Sequence, residues 1–452
     1  MTTPWLIFIV LSAVGLLLLM VLKFRLNAFI ALLITAIYAG ILAGMPLKDI
    51  LASMQKGMGN TLGFVAVVVG LGAIFGQMLE SSGGATELAR FLVGRFGRDK
   101  ASWALMITGF IVAIPVFFDV GFIILVPLVY SLSRDTKRSL LYYGIPLLTG
   151  LAVTHSFIPP TPGPVAVADI LSVPLGWVIL LGFILGIPTA IIAGPLFGRF
   201  IARRIHVDPP DWFVASQPEK EEDAPPPRFG LILLLIGIPI FLILCNTLVS
   251  TLVTREVVPS GLATEIIIFL GHPFTALILA TLLALWLLGT RRGMKSDEML
   301  KLTTKALGPA GIIILVTGAG GVLKQVLVDS GIGEILARHI AASSLSPILL
   351  GWILAAIIRV SQGSSTVAMI TASGILAPVT SLMELSDPML ALVVISIASG
   401  ATILSHVNDS GFWLVGKYFG LSEKQTLQSW TVMETLIAVS GLVFSLLAGM
   451  FV

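Results

Sequence analysis

The sequence predicts an all-α polytopic membrane protein that consists of two inverted-topology repeats. The 452-residue chain is 56% hydrophobic and only 11% charged, whereas soluble proteins contain about 25% charged residues. Residues 70–90 and 318–338 share Gly-x-Gly, Gln, Leu, Ser-Gly and Ala-Arg at one constant offset. A further pair, Gly150 with His155 and Gly400 with His406, follows at a slightly longer offset. A duplicated unit in a long apolar chain is typical of transporters whose site lies where two repeats meet.

The first repeat, residues 1–205, is predicted to cross the membrane five times. Its longer apolar runs are sufficient for helices that span the ~30 Å hydrocarbon layer. We expect the N-terminal run to be retained, because Met-Thr-Thr-Pro carries no basic residue and no cleavage pattern follows. The expected elements are helices at 4–22, 28–46, 60–80 and 177–201, an interrupted crossing near 140–173, and a broken segment at 103–132.

The second repeat, residues 229–452, is predicted to contain the same kinds of element. Residues 206–228 before it are rich in proline and acidic residues, which predicts a solvated cytoplasmic linker. The expected elements of the repeat are helices at 229–250, 265–290, 309–329 and 431–452, a broken segment at 347–380, and an interrupted crossing at 389–420.

The positions of basic residues predict how the broken segments run. If 103–132 dips into the membrane and returns, the clusters at 90–100, 134–138 and 199–204 all face the cytoplasm, with most of the 27 Lys and Arg residues. A full crossing would put the last two clusters outside, against the positive-inside bias. We therefore predict a re-entrant hairpin in each repeat, with both termini outside. An odd number of crossings per repeat then inverts the second repeat relative to the first.

The remaining composition argues against several classes of protein. The net charge of +3 is explained by basic loops on one membrane face and requires no nucleic acid. A single cysteine, Cys245, excludes an internal disulfide and a cysteine-based metal cluster. The five histidines show no zinc-type spacing. The Gly-x-Gly at 70–72 continues an apolar helix and does not open one after a strand. We therefore predict no metal, no cofactor and no enzymatic activity.

Four interruptions of the apolar segments, at 113–121, 154–164, 359–366 and 405–411, predict the binding site. Non-helical backbone is tolerated at membrane depth only where protein or water satisfies its polar groups. Exposed helix ends suit an anion, and the hydroxyls and amides around them suit a polyol. The run 154–164 could instead be an extramembrane loop, but its flanks are apolar and uncharged. The predicted substrate-binding residues are Asp119, Val120, Gly121, Thr154, His155, Ser156, Thr161, Arg359, Gln362, Gly363, Ser364, Ser365, Thr366, Asn408, Asp409 and Ser410.

Each ionisable candidate has two interpretations. Arg359 lies deep in an apolar segment, where a charge is costly without a cavity or a partner. It would either grip a substrate carboxylate, or serve the structure by pairing with Asp119 or Asp409 or by snorkelling to an interface. Those two acids are candidate proton carriers, since burial favours the neutral form of a carboxyl group, or structural acids at helix ends. His155 and His406 are candidates for proton coupling or substrate binding, or structural histidines.

Three motifs resemble those of the gluconate permease family of proton symporters, in the ion transporter superfamily. They are Phe-Phe-Asp-Val-Gly-Phe at 117–122, Thr-His-Ser-Phe-Ile-Pro-Pro-Thr-Pro-Gly-Pro at 154–164, and Ser-His-Val-Asn-Asp-Ser-Gly-Phe-Trp at 405–413. The resemblance covers essentially the whole chain. It implies uptake of gluconate or related sugar acids with protons, and a homodimer in which a transport domain moves as a rigid body against a scaffold.

The sequence thus predicts a proton-coupled transporter of gluconate or a similar small hydroxy-carboxylate in the bacterial inner membrane. Some members of the resembled family prefer D-serine, L-idonate or fructuronate, so a carrier of a small amino acid is the first alternative. An ion channel would show a continuous polar face along its helices, and the sequence shows breaks instead. An intramembrane enzyme would need a nucleophile with a base, and Ser156 beside His155 in sequence establishes no such geometry.

Overall fold

The computed structural model describes residues 3–210, 226–331 and 346–452, and regular structure in these ranges is helical. The first half contains α1 (Thr3–Leu22), α2 (Ala28–Leu42), α3 (Leu47–Ser81), α4 (Gly84–Phe96), α5 (Ala101–Val112), α6 (Phe118–Thr136), α7 (Leu140–Phe157), α8 (Pro162–Ile170), α9 (Leu175–Ile191) and α10 (Phe197–Ala202). The second half contains α11 (Phe229–Thr254), α12 (Leu262–Gly271), α13 (Pro273–Ala284), α14 (Ser296–Asp329), α15 (Pro347–Gln362), α16 (Ser365–Thr380), α17 (Asp387–Gly400), α18 (Ser410–Phe419), α19 (Glu423–Thr426) and α20 (Val432–Ala448).

Within the described ranges, seven helical stretches are long and apolar enough to cross a bilayer. Three of them continue through a wider turn, as where Leu427–Thr431 joins α19 to α20. The chain is therefore an all-helical, multi-pass membrane protein. The seven stretches are Leu47–Ser81, Leu140–Ile170, Leu175–Ala202, Phe229–Thr254, Pro273–Arg292, Ser296–Asp329 and Glu423–Ala448.

Both broken segments of the sequence fold as helical hairpins. At the open end of the first, Arg98 Nη2 lies 3.7 Å from Asp135 Oδ2, so α5 begins where α6 ends. In the second, Gly351 of α15 packs against Leu376 of α16. The tips lie between Val112 and Phe118, which includes Pro115, and at Gly363-Ser364. A proline and a left-handed glycine explain why neither hairpin is one continuous helix.

Each hairpin packs its first arm against a short helix that ends inside the molecule. An added Cβ at Gly150 of α7 would lie 2.2 Å from the carbonyl oxygen of Met106 in α5. The same addition at Gly400 of α17 would lie 2.5 Å from the carbonyl oxygen of Trp352 in α15. The absence of a side chain at both positions allows the backbones to touch, and this close packing fixes where the hairpin tips are held.

The two longest helices, α3 and α14, pack along each other. Gly57 of α3 lies against Gly321 of α14, and Thr61 of α3, one turn further on, packs against the same glycine. Ser53 Oγ donates to Asp329 Oδ2 at 2.6 Å near one end of the pair. Small residues at the crossing allow this close approach.

Several predicted boundaries are wrong. The helix expected at 265–290 is divided, because His272 before Pro273 has extended backbone (φ −59°, ψ 135°), as expected for a residue before proline. Helix α3 begins at Leu47, not 60, and α14 begins at Ser296, not 309. In both cases apolar length indicated only the membrane part of a longer helix. Most of the predicted linker, 211–225, lies outside the described residues.

Candidate functional site

A cavity of about 600 Å³ lies where the two hairpin tips meet the ends of α7 and α17. Residues from both halves of the chain line it, together with the start of α20. The lining residues are Phe117, Phe118, Asp119, Val120, Ala152, His155, Ser156, Pro309, Ile313, Arg359, Gln362, Gly363, Ser364, Ser365, Thr366, Thr402, Asn408, Asp409, Ser410, Gly411, Trp430 and Glu434.

Arg359 and Asp409 form an ion pair in the cavity wall. Arg359 Nη2 lies 2.6 Å from Asp409 Oδ2, and the two side chains are 4% and 13% exposed. Ser405 Oγ also donates to Asp409 Oδ2, and the backbone N–H of Gly411 donates to Oδ1 at 3.1 Å. Asp409 thus caps α18 and anchors Arg359 at the same time, and it accepts hydrogen bonds from three donors.

The tip of the second hairpin is held against the break between α17 and α18. Gly363 has φ +85°, and an added Cβ would lie 2.1 Å from the backbone oxygen of Asn408. Asn408 Nδ2 and His406 Nε2 both contact the backbone oxygen of Val360, at 3.0 and 3.1 Å. Glycine is needed at 363 both for its backbone conformation and for the space.

Three helices direct their N-termini to the cavity. They are α6, which carries Asp119 in its first turn, α16, which is capped by Ser364, and α18, which is capped by Asp409. The free N–H groups of a helix start carry partial positive charge and attract anions. Asp119 and Asp409 already place a carboxylate at the starts of α6 and α18, so the start of α16 and the Arg359 guanidinium are the positive groups that the cavity offers an anion.

Aromatic side chains form another part of the wall. Phe118 lies with its ring centroid 5.5 Å from that of Trp430, and Phe117 lies 6.2 Å from His155. Trp430 Nε1 donates to Ser405 Oγ at 2.7 Å, and Ser405 in turn donates to Asp409. The start of α20 is thereby connected to the ion pair.

Most of the predicted binding residues lie together in this cavity, and four predicted candidates do not line it. Gly121 packs against Leu151. Thr161 Oγ1 donates to the backbone oxygen of Ile158 at 2.6 Å. His406 contacts Val360, and Thr154 is fully buried next to His155. The roles of all these residues stay predictions.

Unsatisfied polar atoms concentrate at the cavity. Among the described residues, six have a buried side-chain nitrogen or oxygen with no hydrogen-bond partner. Three of these atoms, Arg359 Nε, His155 Nδ1 and Ser365 Oγ, belong to lining residues. Buried polar groups in proteins are nearly always paired, so a cluster of exceptions indicates a place for a ligand or water.

Trp430 and Glu434 are among the lining residues that the sequence did not predict. Both belong to the segment that runs into α20, whose sequence predicts one uninterrupted crossing. The predicted site residues lie at interruptions of the apolar segments. A lone acid in an apolar span was the available signal, because Glu434 is the only charged residue after Lys424. Among the residues that the structure describes, no group of three His, Cys, Asp or Glu side chains is arranged to hold a metal ion.

Comparisons with known proteins agree with this architecture. The profile of the family described as GntP family permease matches residues 5–451. The chain is 42% identical over 432 residues to a protein of Pseudomonas aeruginosa named gluconate permease, covering 95% of this chain and 94% of the relative. It is also 42% identical over 448 residues to the low-affinity gluconate transporter of Escherichia coli K12, covering 99% of each.

A solved structure resembles the fold. The crystal structure of the Alcanivorax borkumensis YdaH transporter, described as having an unusual topology, matches with a TM-score of 0.59. The match covers 90% of this chain and 88% of that one at 15% sequence identity. It therefore supports the arrangement of helices alone.

Proposed function

The chain belongs to the GntP family of permeases, and we propose that it takes up gluconate or a related small sugar acid with protons across the bacterial inner membrane. Relatives that align over nearly its whole length are named for gluconate, which supports this substrate class. The cavity between the two halves is the proposed binding site. Its volume of about 600 Å³ falls within the roughly 300–1,000 Å³ typical of small-molecule sites.

The observation that carries the proposal is the group of unpaired polar atoms around Arg359. Arg359 is 3% exposed, and while its Nη2 holds Asp409, its Nε has no partner in the described structure. A guanidinium offers donors along more than one edge, so it can hold Asp409 and a substrate carboxylate together. The proposed position of the sugar-acid carboxylate is in the cavity beside this guanidinium.

The rest of the cavity fits the hydroxyl groups of a sugar acid. Ser365 Oγ and His155 Nδ1 lack partners, and Gln362, Asn408 and Ser410 add amide and hydroxyl groups to the wall. Such groups donate to and accept from hydroxyls. The aromatic wall of Phe117, Phe118 and Trp430 then excludes water from the carbon chain.

The charges in the cavity support coupling to protons. Its lining residues include three acids, Asp119, Asp409 and Glu434, but a single arginine. A negatively charged substrate adds a further anion, and like charges at short range favour protonation of a carboxylate. An imported proton would therefore offset the charge of the imported anion.

We also propose the membrane arrangement that the sequence predicts. Residues 1–205 and 229–452 are inverted repeats, 206–228 is a cytoplasmic linker, both termini are outside, and the protein is a homodimer whose transport domain moves as a rigid body. The equivalent packing of Gly150 on Met106 and of Gly400 on Trp352 supports the repeats. The positive-inside bias supports the orientation, and the resemblance to the ion transporter superfamily supports the dimer.

Uptake into proteoliposomes tests the function. Labelled gluconate, serine and glycerate are offered separately, with an imposed proton gradient, an imposed sodium gradient or no gradient. Accumulation of gluconate that follows the proton gradient supports the proposal. Preference for serine would indicate an amino-acid carrier, and uptake indifferent to the proton gradient would remove the coupling. Conductance far above carrier turnover would indicate a channel.

A further inference from the structure

Glu434 is a buried acid in the wall of the substrate cavity. It lies in the first turn of α20 and is 4% exposed. Its backbone oxygen accepts from Thr402 Oγ1 at 3.4 Å, but within the described residues its carboxyl group makes no hydrogen bond. An ionised carboxylate in such a place is costly, whereas the neutral acid costs much less.

The charged groups that act on Glu434 are Arg359 and Asp409. Arg359 attracts its charge and Asp409 repels it, so two acids compete for one guanidinium. Asp409 is the acid that binds Arg359, at 2.6 Å. It also accepts a hydrogen bond from Ser405 Oγ and caps α18. Asp409 thus has fixed partners, and Glu434 is the acid of these two that has none in the described structure.

The other titratable groups of the cavity differ from Glu434 in position. Asp119 lies in the first turn of α6 and is exposed to the cavity, and the charged group that acts on it is Asp409. His155 is at the end of α7 and contacts the ring of Phe117. Neither of these two groups is held against the Arg359–Asp409 pair by an ion pair or hydrogen bond in the described structure.

We propose that Glu434 is the proton-binding site that couples proton entry to substrate entry. The proposal rests on the function proposed above. When a substrate carboxylate binds in the cavity beside Arg359, the guanidinium attracts Glu434 less, and the new anion repels its charge. Glu434 then binds a proton from the water of the outward-facing cavity, and releases it inside when the substrate leaves.

Coupling follows because the two ligands promote each other's binding. If the substrate increases the proton affinity of Glu434, the proton must increase the substrate affinity of the cavity by the same factor. Compared with the empty cavity, the loaded one has lost the negative charge of Glu434 to the proton and has gained the negative charge of the substrate carboxylate. Its net charge is therefore unchanged, which permits movement through the bilayer.

The test compares accumulation with exchange in proteoliposomes. A gradient of about one pH unit, acid outside, supports about tenfold accumulation of a monovalent anion that enters with one proton. We expect wild type to accumulate gluconate in this way. E434Q should lose the accumulation but keep measurable, slower exchange of external for internal gluconate, and E434D should recover part of the accumulation. The control is E80Q, which alters a partly buried acid of α3 outside the cavity and should accumulate like wild type.

The outcomes separate the two proposals. Failure of wild type to accumulate gluconate would reject the proposed function. Wild-type accumulation that persists in E434Q would reject the role of Glu434 alone. If E434Q loses exchange as well, the wild-type protein is used for a second test. Dicyclohexylcarbodiimide, which modifies protonated carboxyl groups in apolar surroundings, is applied at neutral pH. Its adducts on the protein are then mapped by mass spectrometry. An adduct on Glu434 that gluconate changes supports the role, and its absence overturns the role.

Discussion

At the scale of the residue, Arg359 is the group on which the cavity depends. It is the cation among the lining residues, it is 3% exposed, and one edge of its guanidinium holds Asp409. A buried charge is tolerated only with such a partner. The sequence left two roles open for Arg359, a structural ion pair or a substrate anchor. In the described structure Nη2 is engaged by Asp409 and Nε has no partner, so the ion pair is observed and the substrate anchor stays a proposal.

Replacement of Arg359 by lysine should separate these two roles. The ammonium group of Arg359→Lys can still pair with Asp409, but it cannot hold two carboxylates along two edges. A hydrogen bond to a charged group contributes about 1.5–3 kcal/mol. The KM for gluconate uptake should therefore rise about tenfold or more, with little change in melting temperature. An unchanged KM would show that Arg359 serves only the fold.

Asparagine at position 409 should mainly affect stability, and asparagine at 119 should mainly affect transport. Asp409→Asn keeps a good helix cap but leaves Arg359 buried without its counterion, which costs about 3–5 kcal/mol.

Asp119→Asn removes a cavity acid that holds no ion pair in the described structure. Melting in detergent and proton-driven uptake measure the two effects. Lys324→Gln, outside the cavity, is the control for both, and equal, wild-type-like uptake of the two acid variants would exclude both acids from coupling.

At this scale, the sequence could indicate a site residue only where an apolar segment is interrupted. Arg359, Asp409 and His155 were identifiable because each lies beside a proline, glycine or serine cluster in an apolar segment. Glu434 was not, because α20 has no such interruption. Its importance depends on its place in the same cavity wall as the Arg359–Asp409 pair, and an electrostatic interaction between residues 75 positions apart has no local sequence signal.

At the scale of the element, the hairpin tips position the site. Gly363 ends α15 in the left-handed conformation and touches the backbone of Asn408. This contact joins the second hairpin to the break between α17 and α18, and thereby places Gln362 and Ser364 on the same wall as Asp409. A tip with any other residue would have to move away.

Alanine at Gly363 tests that contact. Gly363→Ala should lower both stability and gluconate uptake, because the left-handed conformation is strained for alanine and its Cβ would lie 2.1 Å from the Asn408 oxygen. Gly83→Ala is the matched control. Gly83 has φ +75° with no atom within 4 Å of an added Cβ, so it should lose about 1 kcal/mol from strain alone and keep transport. Equal effects in the two variants would show that the tip contact does not position the site.

Helix existence was predictable from apolar length, whereas helix ends were not. The breaks expected within 103–132 and 347–380 are observed between α5 and α6 and between α15 and α16, and re-entrance of these segments stays a prediction. Helices α3 and α14 extend beyond their membrane parts into polar sequence, where hydropathy gives no signal. The division between α12 and α13 had a local cause, the proline at 273, that hydropathy alone ignored.

At the scale of the whole molecule, the cavity exists only because both halves of the chain contribute to it. Asp119 and His155 come from the first half, and Arg359, Asp409 and Glu434 from the second. The hairpin α5–α6 has its open end at Arg98 and Asp135. The hairpin α15–α16 has its open end at Ile348, which lies against Gly449 after the last helix. The two tips thus reach one cavity, which suits a site open alternately to each side.

Labelling of single cysteines tests how this arrangement lies in the membrane. In a Cys245→Ser background, cysteines replace Arg95, Arg134 and Lys48 one at a time, all at exposed positions. Because the clusters at 90–100 and 134–138 meet at the Arg98–Asp135 pair and carry the basic residues expected inside, the first two cysteines should resist a membrane-impermeant maleimide in intact cells. Both should react once the membrane is opened. Lys48→Cys, before the long crossing of α3, should react in intact cells. If the first two cysteines react from outside, the predicted orientation is reversed. If they react from different sides, the hairpin is not re-entrant and the cavity cannot form between inverted halves.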